Sequence, residues 1–208
     1  MGRCRLVCCP SHNQSCRRCA GVEQERDLTY NGATSSDEPR LTEQKIQKLL
    51  AVPKAISEKS PVRGFKEEHN YRRCNLTLET GTDDGPKFTV FIRQSEVFIE
   101  DFSIGLRYRT DDKAIGTITL IRYNGAHGEA SRHSDGHYDQ PHIHRITEQV
   151  LASGSKRPEP KQREITDKYI SFEQALRAFF EDVGVTNYLE YFPDLRQLHQ
   201  LDLFNGHQ

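Results

Sequence analysis

The sequence predicts an α+β fold: an antiparallel β-meander of about four to five strands covered by C-terminal helices, with a disordered N-terminal tail. Three observations predict it. From Arg73 to Asn124, apolar residues recur at every second position in four runs separated by turn residues, the pattern of half-buried strands. From Ser171 to Gly184 the spacing lengthens to three and four, as in a helix with one apolar face. Hydrophobic residues make up 35% and charged residues 28% of the 208-residue chain, which suits one modest core with polar extensions.

The first element is a short helix from Leu41, with Thr42 as N-cap, Ile46, Leu49 and Leu50 on its packing face and Pro53 as its stop. Cys74, Leu76 and Leu78 then alternate with polar residues in a strand over about 71–80. After the turn Thr82-Asp83-Asp84-Gly85-Pro86, Phe88, Val90 and Ile92 mark a second strand. Val97 to Arg109 carries Phe98, Phe102, Ile104, Leu106 and Tyr108 at period two, with Gly105 read as a bulge. Thr110-Asp111-Asp112-Lys113 turns the chain into Ile115 to Asn124.

The last third reads as helical. Ser171 and Gln174 have the spacing of a capping box, Phe172, Leu176, Phe179 and Phe180 form the stripe, and Gly184 ends it. Tyr188, Leu189, Tyr191, Phe192 and Leu195 read as further core rather than as a cofactor box.

Residues 1–40 read as a disordered, Cys-rich basic tail and linker, and 41–208 as a single α+β domain. Five of six cysteines, Cys4, Cys8, Cys9, Cys16 and Cys19, crowd the tail. With His12 in reserve they could supply the four ligands of a zinc knuckle, although the Cys9 to Cys16 gap is short; a basic tail is the other reading. Met1 is the sole methionine, and Val22 reads as a candidate alternative translation start.

Lys and Arg number 29 against 30 Asp and Glu, a net charge of −1, so any basic surface must be local. No run approaches the roughly 20 apolar residues that cross a bilayer, and Leu6-Val7 is too little for a signal peptide. A soluble, cytoplasmic protein without a membrane partner is expected.

Five of nine histidines fall between Arg122 and Arg145. His127 follows the strand end in Gly125-Ala126-His127-Gly128, where glycines permit positive φ and close approach to an anion. His133, Asp135, His137 and Asp139 occupy a polar loop. In a strand, His142 and His144 share one face and Ile143 takes the other. Such a pair can serve as base and acid in phosphodiester cleavage, with Arg122 and Arg145 holding phosphate. It can also hold a divalent metal, completed by His127, Asp135 or Asp139, or simply order a loop. No cofactor is otherwise indicated: there is no P-loop, dinucleotide fingerprint, nucleophile elbow or H-E-x-x-H helix. Cys74 reads as packed rather than nucleophilic.

Arg122-Tyr123-Asn124-Gly125-Ala126-His127, followed by Pro141-His142-Ile143-His144, resembles the Arg-Tyr-Asp-Asn-Ala-Pro-His and Pro-His-His-x-His pattern of TumE-like proteins, the toxin arm of a prokaryotic toxin-antitoxin pair. It is similar, too, to uncharacterised prokaryotic families with an Arg-Tyr, His-Gly and His-x-His order. The resemblance spans about residues 88–146; Asn124-Gly125 stands in place of Asp-Asn, and Gly128 in place of a histidine. It implies RNA or the translation machinery as target, a cognate antitoxin as partner, and His127, His142 and His144, supported by Arg122, as site residues. The leading expectation is therefore an RNA-directed, toxin-like protein or ribonuclease. The alternatives are a non-catalytic binding module, such as an antitoxin or mobile-element accessory protein, and a metal-dependent hydrolase.

Overall fold

The structure, a computed structural model, describes residues 41–60, 64–113, 115–126 and 139–197. The N-terminal cysteines, His12 and Val22, as well as His127, His133, Asp135 and His137, lie outside the described residues. What is described belongs to one unit, Asp37–Gln208.

An eight-stranded antiparallel sheet organises it, with strands β1 (Ala55–Ile56), β2 (Lys66–Glu68), β3 (Tyr71–Glu79), β4 (Lys87–Ser95), β5 (Phe102–Arg109), β6 (Thr117–Asn124), β7 (His142–Arg145) and β8 (Gln162–Ile165). The order is β1-β3-β4-β5-β6-β7-β8, and β2 pairs with the other end of β3. The α+β meander is thus present, but it is larger than four to five strands. The additional strands are two to four residues long, too short for period two to stand out. The third strand also starts later than its pattern implied. Val97, Phe98 and Ile99 lie in the β4–β5 turn, each more than 60% exposed, because Ser95 Oγ accepts from the Val97 and Phe98 amides and turns the chain before β5 begins.

Among the described residues four helices accompany the sheet: α1 (Glu43–Ala51), α2 (Glu148–Ala152), α3 (Phe172–Asp182) and α4 (Tyr188–Tyr191). Thr42 caps α1 through the Lys45 amide, and Ser171 with Gln174 closes a reciprocal capping box on α3. α1 buries Ile46, Leu49 and Leu50, and α3 buries Phe172, Ala175, Leu176, Phe179 and Phe180, against the face made by Cys74, Leu76, Leu78, Phe88, Val90, Ile92, Phe102, Ile104, Leu106 and Tyr108. Tyr188, Leu189, Tyr191 and Phe192 pack on this core, and Leu195 is buried in it. No described helix is long and apolar enough to cross a membrane.

Lys54 fastens the helical layer. Its side chain is 1% exposed, and Nζ donates to the carbonyls of Leu50 (3.0 Å), Val52 (2.8 Å) and Val183 (2.8 Å). The first two belong to the end of α1 and the third to the end of α3, where helix carbonyls lack intrahelical donors. The Lys54 amide donates to the Gly184 carbonyl, and its own carbonyl accepts from Thr186. Burial lowers the ammonium pKa from 10.5 to about 8.

Candidate functional site

Strand register decides which side chains share a face, because neighbouring Cα partners point the same way. Asn124 pairs with His142 and Arg122 with His144, while Tyr123 pairs with Ile143 and Ile121 with Arg145. His142, His144 and Arg122 therefore lie together on the face opposite α1 and α3. Arg145 does not join them. Alternation turns it to the helix-covered face, where it stands 3.8 Å from Glu164. The expectation that Arg122 and Arg145 grip one phosphate fails on this parity: they sit on opposite sides of the sheet.

Tyr123 is fully buried on the helix side, stacked on Tyr169 with centroids 5.3 Å apart, and its hydroxyl donates to the Asp182 carboxylate. Burial and that carboxylate raise its pKa well above the ordinary tyrosine value. Cys74 is buried in the same core, and burial raises its pKa as well, away from the thiolate that nucleophilic chemistry needs.

His142 is 1% exposed and bonded at both ring nitrogens: Nδ1 to the Gln140 carbonyl at 2.8 Å and Nε2 to Asn124 Nδ2 at 3.3 Å. Ser103 Oγ donates to Asn124 Oδ1 at 2.8 Å, which assigns the amide nitrogen to His142. With the amide so oriented, Nε2 accepts from Asn124 Nδ2 and Nδ1 donates to the Gln140 carbonyl. This chain fixes the ends of β5, β6 and β7 relative to one another. Tyr169 completes it, its hydroxyl facing the carbonyls of Asn124 at 3.1 Å and His142 at 3.0 Å. The His144 ring lies 5.0 Å from that of His142, and its Nδ1 bonds the Pro160 carbonyl at 3.1 Å, holding the segment before β8 over the sheet.

Gly125 has a different role from the one its sequence context implied. Its φ is not positive; a Cβ there would collide with the Glu100 carbonyl and the Phe102 ring. The glycine serves close packing of β6 against the β4–β5 turn.

The same face carries a feature the histidine pattern did not announce. Arg73 lies opposite Arg93 and Asn75 opposite Phe91; Phe91 in turn faces Gly105, and Gly105 faces Arg122. Arg107 is level with Thr89 and Thr119, and Arg163 with His144. A cleft of about 460 Å³ over this surface is lined by Arg73, Phe91, Arg93, Arg107 and Arg122, with Glu159 and Pro160 along one side. Two of the cations rest on aromatic rings, Arg93 at 3.7 Å from the Tyr71 centroid and Arg107 at 4.5 Å from that of Phe91. Glu68 pairs with Arg73 at 3.1 Å. Arg122 is the most enclosed: burial lowers its pKa, Glu159 opposes that shift, and its Nε is buried with no hydrogen-bond partner. A buried donor of this kind is costly in isolation and is relieved by an acceptor entering the cleft.

The signal for these residues was present in the strand alternation. Arg73, Arg93 and Arg107 occupy outward positions of strands whose inward positions gave the fold away, and only register shows that they converge. Among the described residues no group of three or more His, Cys, Asp or Glu is placed to hold a metal ion. No family model, curated protein or solved structure matches the chain.

Proposed function

We propose that this protein is an RNA-binding module that takes its ligand on the sheet face bearing Arg73, Arg93, Arg107 and Arg122. The observation that carries the reading is this concentration of guanidinium groups, interleaved with Tyr71 and Phe91, in a chain whose net charge is −1. Phosphates supply the affinity of such surfaces and exposed aromatic rings accept bases. Arg122 supports it further through its unpartnered Nε. His142 and His144 belong to the scaffold of this face: both ring nitrogens of His142 are engaged in fixing strand ends, which suits a binding role better than a proton-transfer pair.

The test is a salt titration of RNA binding. Four phosphate contacts on a single strand give a slope of about −2.8 in log K against log salt, so affinity falls roughly 50-fold between 50 and 200 mM. Arg107→Gln should flatten the slope by about 0.7. RNA binding with no salt dependence, or no binding at low salt, overturns the proposal.

A further inference from the structure

Phe91 owes its placement in the cleft to the absence of a side chain at position 105. It lies cross-strand from Gly105, and a Cβ built on Gly105 would fall within overlap distance of the ring's Cε1 and Cζ atoms. The ring is therefore laid across the β5 backbone rather than standing up from β4, which a side chain at position 105 would force it to do. Its other partner is the Arg107 guanidinium, 4.5 Å from the centroid, on an arginine that is otherwise exposed. On the far side of Gly105 stands Arg122 with its buried, unpartnered Nε.

We infer that Phe91, seated on Gly105, is a stacking platform for one unpaired base of a single-stranded nucleic acid, with Arg107 the group the base displaces and Arg122 the donor beside it. This rests on the proposed RNA-binding face and narrows it, because a platform of this kind selects single strands over other polyanions. A flat ring on a sheet is useful to a base that can be splayed out, and a base inside a duplex cannot reach it. The cations alone would hold heparin or duplex as readily as a single strand. Arg107 is suited to its part. A guanidinium stacked on a ring is held weakly at an exposed position, and once displaced it remains beside the bound strand to pair with a phosphate.

The experiment uses the full chain and three probes: a short single-stranded RNA carrying one 2-aminopurine, the same sequence as duplex, and heparin. Wild type should bind the single strand with quenching of 2-aminopurine fluorescence, and more tightly than the duplex. Phe91→Leu should weaken single-strand binding by about 5- to 150-fold and abolish the quench, the range expected for one lost base stack, while heparin affinity stays within about twofold. Phe91→Tyr should restore both. Arg107→Gln, which uncovers the ring without touching it, should keep the quench while lowering the salt slope, so the inference does not hang on one variant. If Phe91→Leu and wild type bind and quench the single strand alike, or Phe91→Leu loses heparin and RNA equally, the platform is refuted and the cationic face stands. If wild type binds neither heparin nor RNA, the face itself is refuted and the platform with it.

Discussion

Replacing Lys54 by Met keeps the length and apolar stem of the side chain and removes its three donors. The carbonyls of Leu50, Val52 and Val183 then lose their partner in a site where Lys54 is 1% exposed. An orphaned buried acceptor costs about 1 to 3 kcal/mol, so three cost about 3 to 9 kcal/mol. Against this stands relief of a buried charge. The shift from 10.5 to about 8 corresponds to about 3 kcal/mol. The net expectation for Lys54→Met at pH 7 is a loss on the order of 3 kcal/mol, read as a lower midpoint in urea with an unchanged slope, or a Tm about 6 to 12 °C lower.

The pH dependence gives a second reading of the same site. Below pH 8 the folded and unfolded chains both carry the charge, and its burial cost is fully present. From about pH 8 to 10.5 the unfolded chain keeps the proton that the folded chain has lost, so wild-type stability rises with pH, and Lys54→Met should lack that rise. Above pH 10 Tyr123 and Tyr169 act in the opposite direction, because burial holds their protons on in the folded state and stability falls as the unfolded chain ionises. A Lys54→Met protein more stable than wild type at pH 7, or showing the same rise above pH 8, would refute this account.

Two further outcomes follow from single contacts. Tyr169→Phe removes the donor facing the Asn124 and His142 carbonyls and should cost about 1 to 3 kcal/mol by urea unfolding, with faster amide exchange in β6 and β7 than in β3 and β4. Ser171→Ala opens the capping box of α3 and should cost about 1 kcal/mol; an unchanged unfolding midpoint would show that the cap is dispensable.

The elements most legible in the sequence were those where one physical signal acted alone. Alternation marked β3, β4, β5 and β6 because each has one face in the core, and Ser171 with Gln174 located α3 because the box uses only local contacts. His142 and His144 were placed correctly on one face for the same reason. Their chemistry was not legible, because the Gln140, Asn124 and Pro160 atoms they bond are set by strand ends and a loop. Arg145 was grouped with Arg122 because the two bracket the histidine segment, whereas register separates them across the sheet. The arginine face stayed hidden because a net charge of −1 averages over surfaces, and because Arg73, Arg93 and Arg107 meet only once three strands are aligned. Gly105 was read as a bulge; the register shift lies one residue on, between Leu106 and Arg107, and the glycine itself makes room for Phe91.

The strand order carries a consequence for how the chain assembles. From β3 to β8 every strand pairs with the next one along the sequence, so each pairing closes its own connection before the next is needed. Such local topology is the kind that forms quickly. The junction between Lys54 and the end of α3 is of another kind, joining residues 129 positions apart. The sheet can be zipped strand by strand, but the helical layer is buckled only when nearly the whole domain has been made.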